Sequence, residues 1–167
     1  NEICKNLDLI NFTINDEIIT KYFNNLKLSS KYMLLNVAMC TAILDDCTQY
    51  LYQFLNYENI TRAQIIFAIV APPKYREILL IIDYNTDEYY LLNPTTLVEN
   101  ENYLNYVKKL RNKINEIKES PGRVLNIGEC PHDTRGSGLV SKILICSFIT
   151  NYANDLPLTN LNLRVIV

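Results

Sequence analysis

The chain has 167 residues, 49% of them hydrophobic and 20% charged, which is typical of one globular domain with an ordinary core. Its 18 acidic and 16 basic residues give a net charge of -2, which argues against DNA or an acidic membrane surface as a partner. The longest apolar runs fall far short of the roughly 20 residues that span a bilayer. We therefore predict one domain, residues 1–167, excised from a longer protein, with no nucleic-acid partner and no membrane insertion.

Two helices are predicted before the first strand. The first begins near Ile14, where Asn15 or Asp16 can cap it, and five apolar residues then share one face: Ile18, Ile19, Tyr22, Phe23 and Leu26. The second extends over about residues 36–55, where apolar residues recur at helical spacing.

Three strands are predicted in the middle of the chain. Residues 64–71 (QIIFAIVA) are rich in β-forming residues, and Pro72-Pro73 ends that strand. Residues 78–84 (ILLIIDY) are a continuous apolar run, as expected of a central strand that is buried on both faces. Turn residues follow, and residues 88–92 (EYYLL) complete a hairpin.

The last part of the chain predicts a helix over residues 101–119, a short strand over residues 123–127 and a helix over residues 139–151. The order of elements is helices, strands, helix, strand and helix. That order predicts an α+β fold with a central sheet.

The five cysteines are odd in number and irregular in spacing: Cys4, Cys40, Cys47, Cys130 and Cys146. Most have apolar neighbours, which favours reduced core thiols and an intracellular protein, cytoplasmic or nuclear. Cys130 and His132 could bind a metal, with Cys4 or Asp133 as a further ligand. A zinc site usually shows two such pairs, so we predict no metal and no cofactor.

The stretch CPHDTRGSGLV, residues 130–140, places a serine between two glycines directly before a helix. Ser137 could be a nucleophile with His132 as its base and Asp133 as the orienting group. A catalytic triad is defined in space, however, and neighbours on one loop rarely converge correctly. A helix cap is the favoured role, because a serine hydroxyl can accept a hydrogen bond from an exposed amide there.

Four segments, taken in order, resemble the ubiquitin-like proteases, the Ulp or sentrin-type SUMO-deconjugating cysteine peptidases related to adenovirus protease. The segments are INDEIITKYFNNL, KYMLLNVAMCTAILD, IIFAIVAPPKYREILLIIDYNTDEYYLLNP and CPHDTRGSGLVSKILICSFITNY. The third is similar to the family's core and the fourth to its nucleophile helix. The resemblance covers nearly the whole chain. It implies a papain-like α+β cysteine-protease fold of the ubiquitin-like protease type, with a mixed, mostly antiparallel sheet flanked by helices.

When the chain is aligned with the family through Ile82-Asp83, other residues stand at the family's catalytic positions. The catalytic histidine falls on Arg76, and the tryptophan that follows it falls on Glu77. The aspartate falls on Asn93 and the nucleophilic cysteine on Ser137. The glutamine of the oxyanion site falls near His132. By resemblance, these five residues line the remnant of a catalytic cleft and are candidate binding residues.

These replacements remove what a cysteine peptidase needs, which is a thiolate, an imidazole that activates it and a group that orients the imidazole. Arg76 is protonated at any usable pH and cannot act as a base. Asn93 cannot stabilise an imidazolium, and the hydroxyl of Ser137 without an adjacent base is a poor nucleophile. The chain is therefore predicted to be a pseudoprotease.

The predicted function is a catalytically inactive domain that binds or scaffolds proteins within a toxin, effector or viral protein. Family members grip a ubiquitin-like protein and thread its C-terminal Gly-Gly through a tunnel covered by the tryptophan. The resemblance thus implies ubiquitin or a ubiquitin-like protein as a partner, although Glu77 puts the tunnel in question. Two alternatives stay open: an active cysteine peptidase with a displaced site at Cys130 and His132, and a structural domain of an assembly.

Overall fold

The computed structural model describes residues 9–45, 57–71, 77–92, 101–119, 124–127 and 138–157. The helices are α1 (Leu9–Leu26), α2 (Val37–Leu44), α3 (Tyr57–Arg62), α4 (Glu101–Lys118) and α5 (Gly138–Ala153). The strands are β1 (Tyr32–Leu35), β2 (Ile65–Val70), β3 (Ile78–Asp83), β4 (Glu88–Leu92) and β5 (Val124–Ile127). The predicted α+β class is confirmed.

The described strands form one five-stranded sheet in the order β1-β2-β3-β4-β5. The pairs β2–β3 and β3–β4 are antiparallel, whereas β1–β2 and β4–β5 are parallel. The predicted mixed sheet is confirmed, with antiparallel pairing at its centre and parallel pairing at its two edges. Helices connect the parallel pairs, with α2 and α3 between β1 and β2 and α4 between β4 and β5.

Strand β3 is the centre of the molecule, and all six of its residues are buried. Its side chains alternate between two core layers. Ile78, Leu80 and Ile82 pack in the layer that contains residues of α2, α3 and α4. Leu79 and Ile81 pack in the layer that contains residues of α1 and α5. The apolar run thus forms a strand buried on both faces, as predicted.

The apolar faces of the helices complete these two layers. In α4, Val107, Leu110 and Ile114 are fully buried, as the spacing predicts. In α5, which contains one charged residue, Ile145, Phe148 and Ile149 are fully buried. Because both faces of the sheet are covered, burial of apolar surface supplies the main driving force for this arrangement.

The structure differs from the sequence prediction at three helices and one strand. Helix α1 begins at Leu9, before the predicted start near Ile14. Helix α2 is capped by Asn36, whose Oδ1 accepts a hydrogen bond from the Met39 N–H at 2.9 Å, but it ends at Leu44. The rest of its predicted length, residues 46–55, lies outside the described residues. Strand β1 and helix α3 were not predicted at all.

The C-terminal end of helix α3 is held by a single lysine of α4. The Lys118 ammonium donates to the backbone carbonyls of Ile60, Thr61 and Ala63 at 2.9, 2.9 and 2.7 Å. A cation at this end of a helix satisfies carbonyls that have no partner within the helix and complements the helix dipole. The same ammonium lies 4.4 Å from the centroid of the Tyr84 ring. A short polar helix is thereby fixed by a residue far away in sequence.

We predict that Lys118→Met lowers the free energy of unfolding by about 1–3 kcal/mol, because three carbonyls lose a charged donor. Urea unfolding followed by circular dichroism measures the change. The matched control is Lys109→Met on the exposed side of the same helix, which we expect to change stability by about 0.5 kcal/mol or less. Equal effects of the two substitutions would contradict the role of Lys118.

Candidate functional site

Of the five residues predicted to line the remnant cleft, Glu77 lies within the described part of the chain. Arg76, Asn93, His132 and Ser137 lie outside the described residues. Their positions therefore stay predictions, as does the displaced site at Cys130 and His132. The structure instead describes the ends of the elements on which the cleft would be built.

The ends of these elements lie close together. Glu77 directly precedes β3, and Leu92, the residue before Asn93, ends β4. Leu79 near the start of β3 is paired with Leu92. Helix α5 begins at Gly138, directly after Ser137, and its Lys142 reaches Glu77. The start of β3, the end of β4 and the first turns of α5 therefore lie together.

The contact between β3 and α5 is an ion pair. Lys142 Nζ donates to Glu77 Oε1 at 2.9 Å, and the two side chains are 15% and 12% exposed, respectively. A charge-assisted hydrogen bond of this length is among the stronger polar contacts in proteins. Because both charges are largely withdrawn from water, removal of either one leaves the other poorly solvated. Glu77 is thus fixed against the helix rather than free at the surface.

Lys142 is the residue of this site that sequence analysis missed. The available signal was its isolation, since it is the one charged residue in the α5 sequence GLVSKILICSFITNYA. A lone charge in an apolar helix that packs against a sheet requires a partner. The sequence could not identify Glu77 as that partner, because 65 residues separate the two.

The other end of β3 also holds α5. Asp83 Oδ2 accepts a hydrogen bond from the Tyr152 hydroxyl at 2.5 Å. Asp83 Oδ1 accepts from the backbone N–H groups of Asn85 and Thr86 at 2.8 and 3.3 Å, which shapes the β3–β4 turn. Burial, together with the hydrogen bond to Asp83, raises the pKa of Tyr152, so its hydroxyl remains a donor. Asp83 is therefore a structural residue.

The two cysteines within the described residues are buried and do not offer a nucleophile. The Cys40 thiol donates to the Leu35 carbonyl at 3.6 Å. Burial raises the pKa of the Cys146 thiol to about 12, so its thiolate is scarce at neutral pH. For these two residues the predicted reduced core thiols are confirmed. The described part of the chain also contains no cluster of three or more metal-ligating side chains.

A search for relatives by sequence gives no matching family model and no matching curated protein. Solved structures do match. The C-terminal Ulp1 protease domain in complex with Smt3, the yeast ortholog of SUMO, superimposes with a TM-score of 0.70 at 18% identity, over 89% of this chain and 67% of that one. The chain has the Ulp1 fold. The ubiquitin-like protease fold expected from the sequence is thereby confirmed.

Two further structures support this fold. Ulp1 with its catalytic cysteine oxidised to a sulfenic acid has a TM-score of 0.69 at 17% identity, over 89% of this chain and 68% of that one. The Xanthomonas campestris effector XopD bound to ubiquitin has a TM-score of 0.57 at 12% identity, over 83% and 73% of the two chains. Within the described residues, no helix of this Ulp1-type domain is long and apolar enough to cross a membrane.

We predict that Glu77 and Lys142 are energetically coupled. In a double-mutant cycle of Glu77→Gln and Lys142→Met, the coupling free energy should be about 1–3 kcal/mol, because each single substitution leaves a largely desolvated charge without its partner. Thermal and urea unfolding of the four proteins give the value.

The control cycle uses Glu58 and Arg62, whose side chains are 3.5 Å apart and 73% and 72% exposed. Their coupling should be about 0.5 kcal/mol or less. If the Glu77 and Lys142 effects are simply additive, the ion pair does not hold α5 against β3.

Proposed function

We propose that this protein is a catalytically inactive, intracellular module of the Ulp1 fold that binds a protein partner, ubiquitin or a ubiquitin-like protein. The observation that carries the proposal is the ion pair between Glu77 and Lys142, which ties the start of β3 to α5. In the alignment, Glu77 occupies the position of the tryptophan that covers the substrate tunnel.

An ion pair is a poor substitute for that tryptophan. An indole ring is a neutral, flat surface over which an extended Gly-Gly tail can pass, whereas a carboxylate withdrawn from water needs charged or hydrogen-bonding partners to offset its lost hydration. Lys142 meets that need and draws the Glu77 side chain towards α5. The site is thus suited to structural support of the cleft elements rather than to covering a substrate tail.

The residues at the three catalytic positions support the same proposal. Arg76, Asn93 and Ser137 supply neither an imidazole nor a thiol, so restoring one residue would not restore the proton transfers of a peptidase. The described thiols do not compensate, because Cys40 and Cys146 are buried in the core.

The matched structures support a ubiquitin-like partner. One is a Ulp1 domain in complex with Smt3, and another is XopD bound to ubiquitin. The same fold therefore accommodates both ligands in other proteins. Recognition of a folded partner uses a broad surface, and such a surface does not depend on three catalytic side chains. We accordingly separate binding, which we propose is retained, from peptide-bond cleavage, which we propose is lost.

We predict that neither ubiquitin nor SUMO with a C-terminal fluorogenic amide is hydrolysed, and that Ser137→Cys remains inactive because the base position is still Arg76. A fluorescence assay at micromolar enzyme measures the turnover, with an active Ulp1 domain as the positive control. Turnover above background that Cys130→Ala and His132→Ala both abolish would overturn the proposal in favour of the displaced site.

We further predict that isotope-labelled ubiquitin or SUMO shows amide chemical-shift changes on its folded face when the unlabelled domain is added. Because we propose that the tail tunnel is no longer used, a ligand that lacks its last two glycines should bind with a Kd within about twofold of the intact ligand. A labelled protein of the same size but another fold is the control. Absence of shifts at several hundred micromolar would remove both ligands as partners.

A further inference from the structure

Strand β1 is an edge strand of the described sheet, and it pairs with β2 alone among the described strands. The Lys31 carbonyl accepts the Ile65 N–H at 3.0 Å, and the parallel register pairs Tyr32 with Ile65. In a parallel ladder, alternate residues bond to the same neighbour. The backbone groups of Met33 therefore face β2, whereas the N–H and C=O of Leu34 face away from it. The Tyr32 N–H also points away from β2, but it already donates to the Ser29 carbonyl at 3.1 Å. The outward-facing groups to which one more strand can bond are therefore the Leu34 N–H and C=O and the Tyr32 C=O.

A cavity of about 440 Å³ lies along this edge. Three of the four residues of β1 line it, and the rest of its wall comes from α1, α2 and α3 and from Ser30 and Asn36 on either side of β1. Tyr32 packs against the core layer that contains α1 and α5, while Met33 and Met39 pack against the opposite layer. The cavity therefore extends past β1 from one face of the sheet to the other. Its volume is in the range of ligand-binding sites.

The lining combines an apolar floor with hydrogen-bond donors. Phe23, Met33 and Met39 are apolar, and methionine side chains adapt readily to different ligand shapes. The polar members of the lining are all uncharged or basic: Thr20, Asn24, Ser30, Asn36, Asn59 and Arg62. No acidic side chain is among the described residues that line the cavity.

Arg62 supplies the positive charge at the rim. Its contact with Glu58 on the preceding turn is 3.5 Å long, and the two side chains are 72% and 73% exposed. An ion pair of that length and exposure contributes little to stability. The guanidinium can therefore turn towards a carboxylate in the cavity at small cost, and it can bind that carboxylate through two parallel hydrogen bonds.

We propose that the edge of β1 and this cavity form a docking site for an extended, acidic segment of a partner protein, which adds a strand to the sheet. Backbone hydrogen bonds to β1 hold the segment, alternate apolar side chains enter the cavity, and an Asp or Glu contacts Arg62. The chain's own residues 158–167 (LTNLNLRVIV) are a poorer occupant, because they contain Arg164 and no acidic residue. The site is separate from the cleft, so it does not depend on the proposed binding of ubiquitin.

The test is selection of random nine-residue peptides, displayed on phage, against the full chain. Enriched peptides are then synthesised with a fluorophore, and their Kd is measured by anisotropy. We expect sequences in which Asp or Glu stands among alternating apolar residues, and we expect Arg62→Glu to raise the Kd at least tenfold. The matched control, Lys108→Glu on the exposed side of α4, should leave the Kd within about twofold.

A second measurement tests strand addition without changing the protein. The best peptide is made with N-methyl groups on its odd-numbered or on its even-numbered residues, which removes the backbone donors of one edge at a time. We expect one series to lose binding and the other to keep it, because one edge of an added strand faces β1. Equal behaviour of the two series, or full binding to Arg62→Glu, would overturn the proposal. A lack of enriched peptides, as expected if residues 158–167 or a second copy fill the site, would also overturn it.

Discussion

The structure depends on the complete burial of β3 and on the way both ends of that strand hold α5. Glu77, directly before β3, forms an ion pair with Lys142. Asp83, the last residue of β3, accepts a hydrogen bond from the Tyr152 hydroxyl. Because β3 is buried on both faces, a polar group at either end of it needs a partner to offset its loss of water. Helix α5 supplies both partners, and it therefore lies along β3 in a fixed position and direction.

These contacts hold the fold without using any of the predicted catalytic positions. The helix position depends on Lys142 and Tyr152, on apolar contacts such as that of Phe148 with its layer, and on the turn that Asp83 organises. None of these contacts requires a thiolate or an imidazole. The elements that would carry a triad are thus held by groups outside the predicted catalytic positions, which is consistent with a Ulp1 fold at 18% identity.

Local sequence signals predicted the elements that local chemistry determines. The apolar run of β3, the turn before β4 and the helical spacing of Val107, Leu110 and Ile114 each identified an element correctly. Strand β1 was not predicted because it has only four residues and the apolar helix α2 follows almost directly. Helix α3 was not predicted because a distant residue stabilises it. Lys118, 55 to 58 residues away, binds the carbonyls at its C-terminal end. At the candidate site, Glu77 was identified through the family resemblance, but its contact with Lys142 is long-range and leaves no local pattern.

The sheet order also separates two kinds of recognition. Strands in a sheet are about 4.8 Å apart, so the edge of β1 lies on the order of 10 Å from β3, with β2 between them. The cleft elements meet at the ends of β3 and β4, whereas the β1 edge presents its own backbone and a cavity without acidic lining. A change at the catalytic positions therefore leaves the edge intact. Binding along β1 relies on backbone groups and one arginine, so selection for such binding would preserve the sheet without preserving a peptidase.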